Sequence, residues 1–413
     1  MNRLALYLYR IFVIPPVVVA LPFLALVVPK IREGLRLRRG RLDPLTDRPI
    51  WIHAASGEFE YAKSVIRELK VHWPDVPVVV TFFSPTFAGQ VARFPGVDRA
   101  IGLPLDLPGP TLSFLRKMKP RLLLVARTDL WPEMLEQCRL SQIPVVLFSY
   151  TQKQLNSLMK RSFTRWILQS VREVYCVSEA DKENLTALHL PIPCAVMGDT
   201  RYDQVRFRLD NPKPLPVELK PTGNTPVLVA GSSWPEDEAV LLEGLAPLLR
   251  EGRLKLILVP HEPTAEHIAD LKKRLAKVDL KCSLFSEAQP WSQVLLVDKI
   301  GVLAELYAWA DFAFVGGSFR KSVHSVMEAL GAGCATFVGP YHQNNREAME
   351  FKTLSFSGQP GLEVARDASD LRTKLSERLS RPHERFRAEL LAEFRRRLGA
   401  SQRLVDALQK TLN

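Results

Sequence analysis

An alternation of short apolar segments with amphipathic helical ones, run through twice, restricts this chain more than any other feature. In the first run the apolar segments are Ile50–Ala54, Val76–Phe82, Leu122–Ala126, Pro144–Phe148, Val174–Val177 and Ala195–Met197. Val65–Leu69, Thr111–Met118, Glu133–Leu140 and Thr164–Val171 read as helical pieces between them. Segments this short, bounded by turn residues, are buried strands, and strands alternating with helices make a parallel sheet covered on both faces. The second run is Val227–Ala230, Leu254–Val259, Val294–Leu296, Phe312–Val315 and Ala335–Val338. Four prolines in residues 208–225 interrupt the pattern and make a semi-rigid connector. The expected fold is α/β, two doubly wound Rossmann-like domains: residues 42–207 and 226–362, with a connector at 208–225 and a polar helical tail at 363–413.

Residues 1–41 stand apart as a membrane anchor with a basic flank. Ile11 to Pro29 carries no charge, and 19 residues at about 1.5 Å each just cross a hydrocarbon core of about 30 Å. Pro15, Pro16 and Pro22 also allow a kinked, shallowly embedded helix, so spanning and embedding both stay open. Of the formal net charge of +12, this segment holds eight basic residues against Glu33 alone. Most of them follow the apolar run, from Lys30 to Arg41. That places the rest of the chain on the cytoplasmic side of an inner membrane, facing anionic lipid. A cleaved signal peptide fits poorly, because the basic block comes after the apolar run. No basic module with interleaved aromatics calls for nucleic acid. The five cysteines are scattered and never paired as Cys-x-x-Cys, which excludes a disulfide framework and a zinc site.

Chemistry is expected where strands run into helices. Ala55-Ser56-Gly57-Glu58 joins the Ile50–Ala54 strand to a helix with Phe59, Ala62, Val65, Ile66 and Leu69 on one face. A carboxylate there sits at the carboxyl end of a strand, where open α/β sheets hold ligands, and the helix dipole favours its anion. The alternative is an N-cap at Ser56 with Glu58 merely complementing the dipole. In the second half, Gly231-Ser232-Ser233-Trp234-Pro235 and Gly316-Gly317-Ser318 lead from strands toward helices and offer two anion seats. The second is expected to open a helix over Val323–Leu330 with His324 and Glu328 on one face. Those two lack a third ligand, so no metal is implied, and Glu328 reads as a ribose acceptor.

Five motifs then share an order and spacing with one family: Trp51-Ile-His-Ala-Ala-Ser-Gly-Glu58, Thr128-Asp-Leu-Trp-Pro132, Gly231-Ser-Ser233, Phe314-Val-Gly-Gly-Ser318, and Gly339-Pro340 followed by Asn344 and Arg346-Glu347. To about residue 350 the chain resembles the 3-deoxy-D-manno-oct-2-ulosonic acid (Kdo) transferases, membrane-associated GT-B glycosyltransferases that move Kdo from CMP-Kdo to the lipid A precursor. The resemblance implies Glu58 as general base with Asp129 beside it. It implies a CMP donor over Ser232, Ser233, His261, Gly316, Gly317, Ser318, His324, Glu328 and Asn344, and no metal cofactor. Asp129 stands where the family has glutamate, His261-Glu262 where it has Arg-His, and Ser325 where it has asparagine; residues 149–153 also depart. Arg320, Lys321 or His261 is expected to replace the missing arginine. Two alternatives remain: a GT-B enzyme using another nucleotide sugar, and a non-catalytic membrane-bound relative.

Overall fold

The computed structural model describes residues 3–38, 43, 45 and 47–412. Two compact units divide them: residues 1–204 with 397–413, and residues 205–396. The first holds a seven-stranded parallel sheet: β1 Ile50–His53, β2 Val78–Phe82, β3 Arg99–Gly102, β4 Leu122–Ala126, β5 Val145–Tyr150, β6 Glu173–Cys176 and β7 Cys194–Val196. Its order is β3-β2-β1-β4-β5-β6-β7, so the winding reverses between β1 and β4. Period-two alternation puts the two faces of β1 in different cores. Ile50 and Ile52 pack with Phe59, Val65 and Ile66; Trp51 packs with Phe114, Leu135 and Leu147. β3, unexpected from sequence, begins on a half-exposed arginine and ends on glycine, so its apolar run is too short to register.

The second unit holds β8 Val227–Ser233, β9 Lys255–Pro260, β10 Cys282–Leu284, β11 Val294–Leu296, β12 Phe312–Val315 and β13 Ala335–Val338. A short antiparallel pair, β14 Ser355–Phe356 and β15 Gln359–Pro360, precedes β16 Leu362–Val364. Its sheet runs β10-β11-β9-β8-β12-β13-β16, all parallel, with the reversal between β8 and β12. β10 and β16 were not legible: each is an edge strand of mixed polarity, Cys-Ser-Leu and Leu-Glu-Val, and only partly buried.

Three expectations about boundaries change. The Arg201–Asp210 helix runs into the expected connector and crosses the division at residue 204, with only a 3-10 turn at Val217–Leu219 after it. The tail is shared: Glu384–Arg396 belongs to the second unit, whereas Ala400–Leu412 returns to the first. There Leu404, Val405 and Leu408 join the core under the Phe59–His72 helix. Finally, no helix forms over 323–326; it starts at Met327, so His324 and Glu328 do not share a helix face.

Arg3–Leu8, a five-residue π-helical stretch Tyr9–Val13, and Ile14–Val27 form one run, followed by Pro29–Arg38. Leu4–Val27 is long and apolar enough to cross a membrane, with mean hydropathy 2.3 and its most apolar window unburied. Pro15 and Pro16 fall in the first turn of Ile14–Val27, directly after the π-helical stretch, and Pro22 lies inside the same helix. Two polar residues fasten this run to the first unit. Tyr9 donates to Asp106 Oδ2 at 2.8 Å, and Arg10 forks onto Glu133, with Nη2 at 3.0 Å from Oε2. Of the basic flank, Arg39 and Arg41 lie outside the described residues.

Candidate active site

In the first unit the loops after β1 and β4 leave adjacent strands at the reversal of winding, the crevice that doubly wound sheets use for ligands. The first carries Glu58 and the second Asp129. Glu58 itself occupies the N-cap position of the Phe59–His72 helix, which displaces the expected Ser56 cap. Its carboxylate folds back, and Oε2 accepts from the Ser56 amide and the Ser56 hydroxyl, both at 2.9 Å. Glu58 remains half-exposed, and both of these bonds fall on Oε2.

Asp129 is held more tightly. Its Oδ2 accepts from His53 Nε2 at 2.7 Å and from the Trp131 indole at 3.1 Å. Burial pushes the Asp129 carboxyl up, but the His53 bond, the His53 charge and the Trp131 bond outweigh it and bring it below the usual carboxylate range. An ionised carboxylate only accepts, so His53 carries a proton on Nε2. His53, fully buried, is oriented from behind by Thr81, whose hydroxyl lies 2.9 Å from Nδ1 and also accepts from Trp51. Thr81, His53 and Trp131 therefore complete the carboxylate's setting. His53 and Trp131 stood inside the matched motifs, but nothing in their spacing said that strand pleat and loop would bring them to Asp129.

In the second unit the sequence-derived donor residues cluster at the carboxyl ends of β8, β9 and β12. Several are committed to the loop itself. The Gly316 amide donates to Gly231 O at 2.9 Å, and Gly317 N to Asp237 Oδ2 at 2.7 Å. Asp237 also accepts from Phe319 N and Trp234 N, both at 2.9 Å, so a buried carboxylate already fills the seat expected for a phosphate. Burial pushes this carboxyl up against the pull of its three amides. Gly316 is required because a Cβ would lie 2.2 Å from Ser232 O, and Gly317 because its φ is +80°. The Ser318 hydroxyl bridges Val315 O and Gly339 N. Ser233, fully buried, donates to Glu238, which His267 and Arg274 balance. Burial lowers the His267 pKa, but the Glu238 bond, the bond to the Glu262 carbonyl and the Glu238 and Asp270 charges together more than reverse this. Asn344 clasps Val323 through both its backbone groups.

What stays open to a ligand is a stack that sequence did not connect. Arg320 lies 3.9 Å over the Trp234 ring, Trp234 stacks on His261 at 4.7 Å, and His261 on His324 at 4.5 Å. The Trp234 indole donates to His324 Nε2 at 3.0 Å, which puts the His324 proton on Nδ1; burial, then the neighbouring His261, push its pKa down. Ser232, half-exposed with φ +54°, lies at this edge. Glu328 faces Arg208 at 3.8 Å and keeps part of its side chain exposed. Among the described residues no three His, Cys, Asp or Glu side chains gather as a metal site.

Two Rossmann-like units, each a parallel sheet presenting loops at its reversal point, define the GT-B fold. The solved UDP-GlcNAc 2-epimerase from Neisseria meningitidis shares this fold at a TM-score of 0.62 and 15% identity, over 88% of this chain and 100% of that one. A glycosyltransferase from Rickettsia africae does so at 0.57 and 11%, over 89% and 100%. Residues 33–204 match the family model described as 3-deoxy-D-manno-octulosonic-acid transferase (kdotransferase). The 3-deoxy-D-manno-octulosonic acid transferase of Haemophilus influenzae is 29% identical over 96% of this chain and 96% of its own. The chain is thus a relative of the Kdo transferases and a glycosyltransferase, and the resemblance read from its motifs holds.

Proposed function

We propose that the protein transfers Kdo from CMP-Kdo to a hydroxyl of the lipid A precursor at the cytoplasmic face of the inner membrane, with inversion and without a metal. The observation that carries the mechanism is the difference between the two carboxylates at the β1–β4 reversal. Glu58 is half-exposed and held on one oxygen, so it acts as the general base for the acceptor hydroxyl. Asp129, tied to His53 and Trp131, stays anionic and shapes the pocket around the incoming sugar. The donor's base lies against the Trp234–His261–His324 stack, with Arg320 supplying the positive charge that a leaving CMP phosphate requires. Leaving-group protonation is unnecessary, so one base suffices, unlike the carboxylate pair of glycosidases.

The test is transfer from CMP-Kdo, generated in place, to lipid A precursor in detergent with EDTA present. Wild type is expected to form product, and Glu58→Gln to lose about 10²- to 10⁴-fold in kcat at unchanged CMP affinity. Undiminished product from Glu58→Gln would move the base to Asp129. No product from folded wild type would direct attention to other nucleotide sugars.

A further inference from the structure

A cavity of about 390 Å³ lies inside the first unit, between the N-terminal helical run and the β-sheet domain, and is lined by Val13, Val17 and Leu21 on one side and Phe83, Leu105 and Trp131 on the other. A second hollow shares Val18, Leu21, Leu105 and Leu107 with it and continues past Pro22 and Ala25. Together they make an apolar groove that follows the helix. The polar groups at its walls are turned onto one another: Tyr9 onto Asp106, and Arg38 onto the carbonyls of Leu103 and Phe83. In the first hollow carbon and ring surface is what remains to meet an occupant, while Arg32 and Arg36 stand at the wall of the second.

At its inner end the groove abuts both loops of the candidate site. Phe83 and Trp131 stack there, with ring centroids 5.4 Å apart and planes 14° from parallel. The Phe83 amide donates to Ala55 O at 2.8 Å, in the loop that carries Glu58. The Trp131 indole donates to Asp129. Its other side is the helix long enough to cross a membrane.

We propose that this groove seats one acyl chain of the lipid acceptor, its sugar end at Trp131 and its methyl end along Leu21 and Ala25; this rests on the lipid acceptor proposed above. Lipid tails are as apolar as leucine, so the chain gains little free energy by leaving the bilayer. The groove supplies position instead: a seated chain brings the acceptor hydroxyl to Glu58 already oriented. A bulk phospholipid would fit the same walls, but only the acceptor has a reason to end between Ala55 and Asp129.

The test uses the full chain in micelles with a photoreactive diazirine on an acyl chain of the acceptor, and the same label on phosphatidylglycerol. Adducts on Val17, Leu21 or Leu105 from the labelled acceptor are expected, displaced by unlabelled acceptor and not by phospholipid. Val17→Trp, at a half-exposed helix position, is expected to lower kcat/KM for the acylated acceptor at least tenfold. CMP affinity and transfer to an acyl-free sugar acceptor should stay at wild-type levels. Equal labelling by phosphatidylglycerol, or an equal effect of Val17→Trp on both acceptors, would overturn the proposal. A wild type that transfers to neither acceptor removes the transferase reading, and the labelling pattern still decides whether the groove takes this lipid.

Discussion

Asp129 accepts from two donors on its own unit, whereas Glu58 accepts from Ser56 and is otherwise open, and that difference governs what each should do when changed. The Asp129 pKa is lowered in the fold, so its contribution to stability is complete above the usual carboxylate value of 3.8 and is lost as pH falls through the lower folded value. Asp129→Asn is expected to cost about 1–3 kcal/mol near neutral pH, because His53 stays buried with a weaker acceptor. Thermal unfolding of the two proteins should converge only once the pH has fallen through that lowered folded value, where wild type protonates as well. Asp237 offers the contrasting case in the second unit. Asp237→Ala leaves the Gly317, Phe319 and Trp234 amides without their acceptor, and is expected to destabilise by more than about 2 kcal/mol. Isothermal titration with CMP should show donor affinity falling with it, since the Trp234 ring is placed by that bond.

At the scale of elements, the N-terminal run behaves as part of the first unit as well as a membrane segment. Glu133 is fully buried in the Pro132–Leu140 helix, and Arg10 is the cation that compensates it. Arg10→Ala leaves that carboxylate uncompensated, at a cost of about 3–5 kcal/mol by comparison with other broken buried pairs. Limited proteolysis should then release the run up to Val28 from detergent-solubilised protein faster than from wild type. The double change Arg10→Met with Glu133→Leu is expected to restore protection, because it removes the buried charge along with its partner.

For the whole molecule, the chain crosses from one unit to the other twice, at residues 204–205 and 396–397. The Ala400–Leu412 helix therefore completes a core that begins more than three hundred residues earlier. Leu404, Val405 and Leu408 are fully buried there, each worth about 1.5–3 kcal/mol. A chain ended after Arg396 is expected to lose the cooperative unfolding transition of the first unit while keeping that of the second. Calorimetry of the detergent-solubilised protein would read both.

Local pattern alone determined the strands of both sheets' centres, the helix after Glu58, the apolar N-terminal run and the loops in which chemistry could sit. Those features depend on period, length and turn residues, which are properties of neighbouring positions. The edge strands β3, β10 and β16 escaped because each mixes polar or small residues with apolar ones and stays partly exposed, so no apolar run marks it. The missing helix at His324 escaped because Asn344, distant in sequence, takes up both the amide and the carbonyl of Val323. Motif order pointed to Glu58, Asp129 and the glycine loop, and so to the family. Only the tertiary structure decided that Asp237 fills the Gly317 seat, that His261, His324 and Trp234 form one stack, and that His53 serves Asp129. Each of those contacts joins different strands or loops, and a linear pattern holds no information on which groups the sheet will bring together.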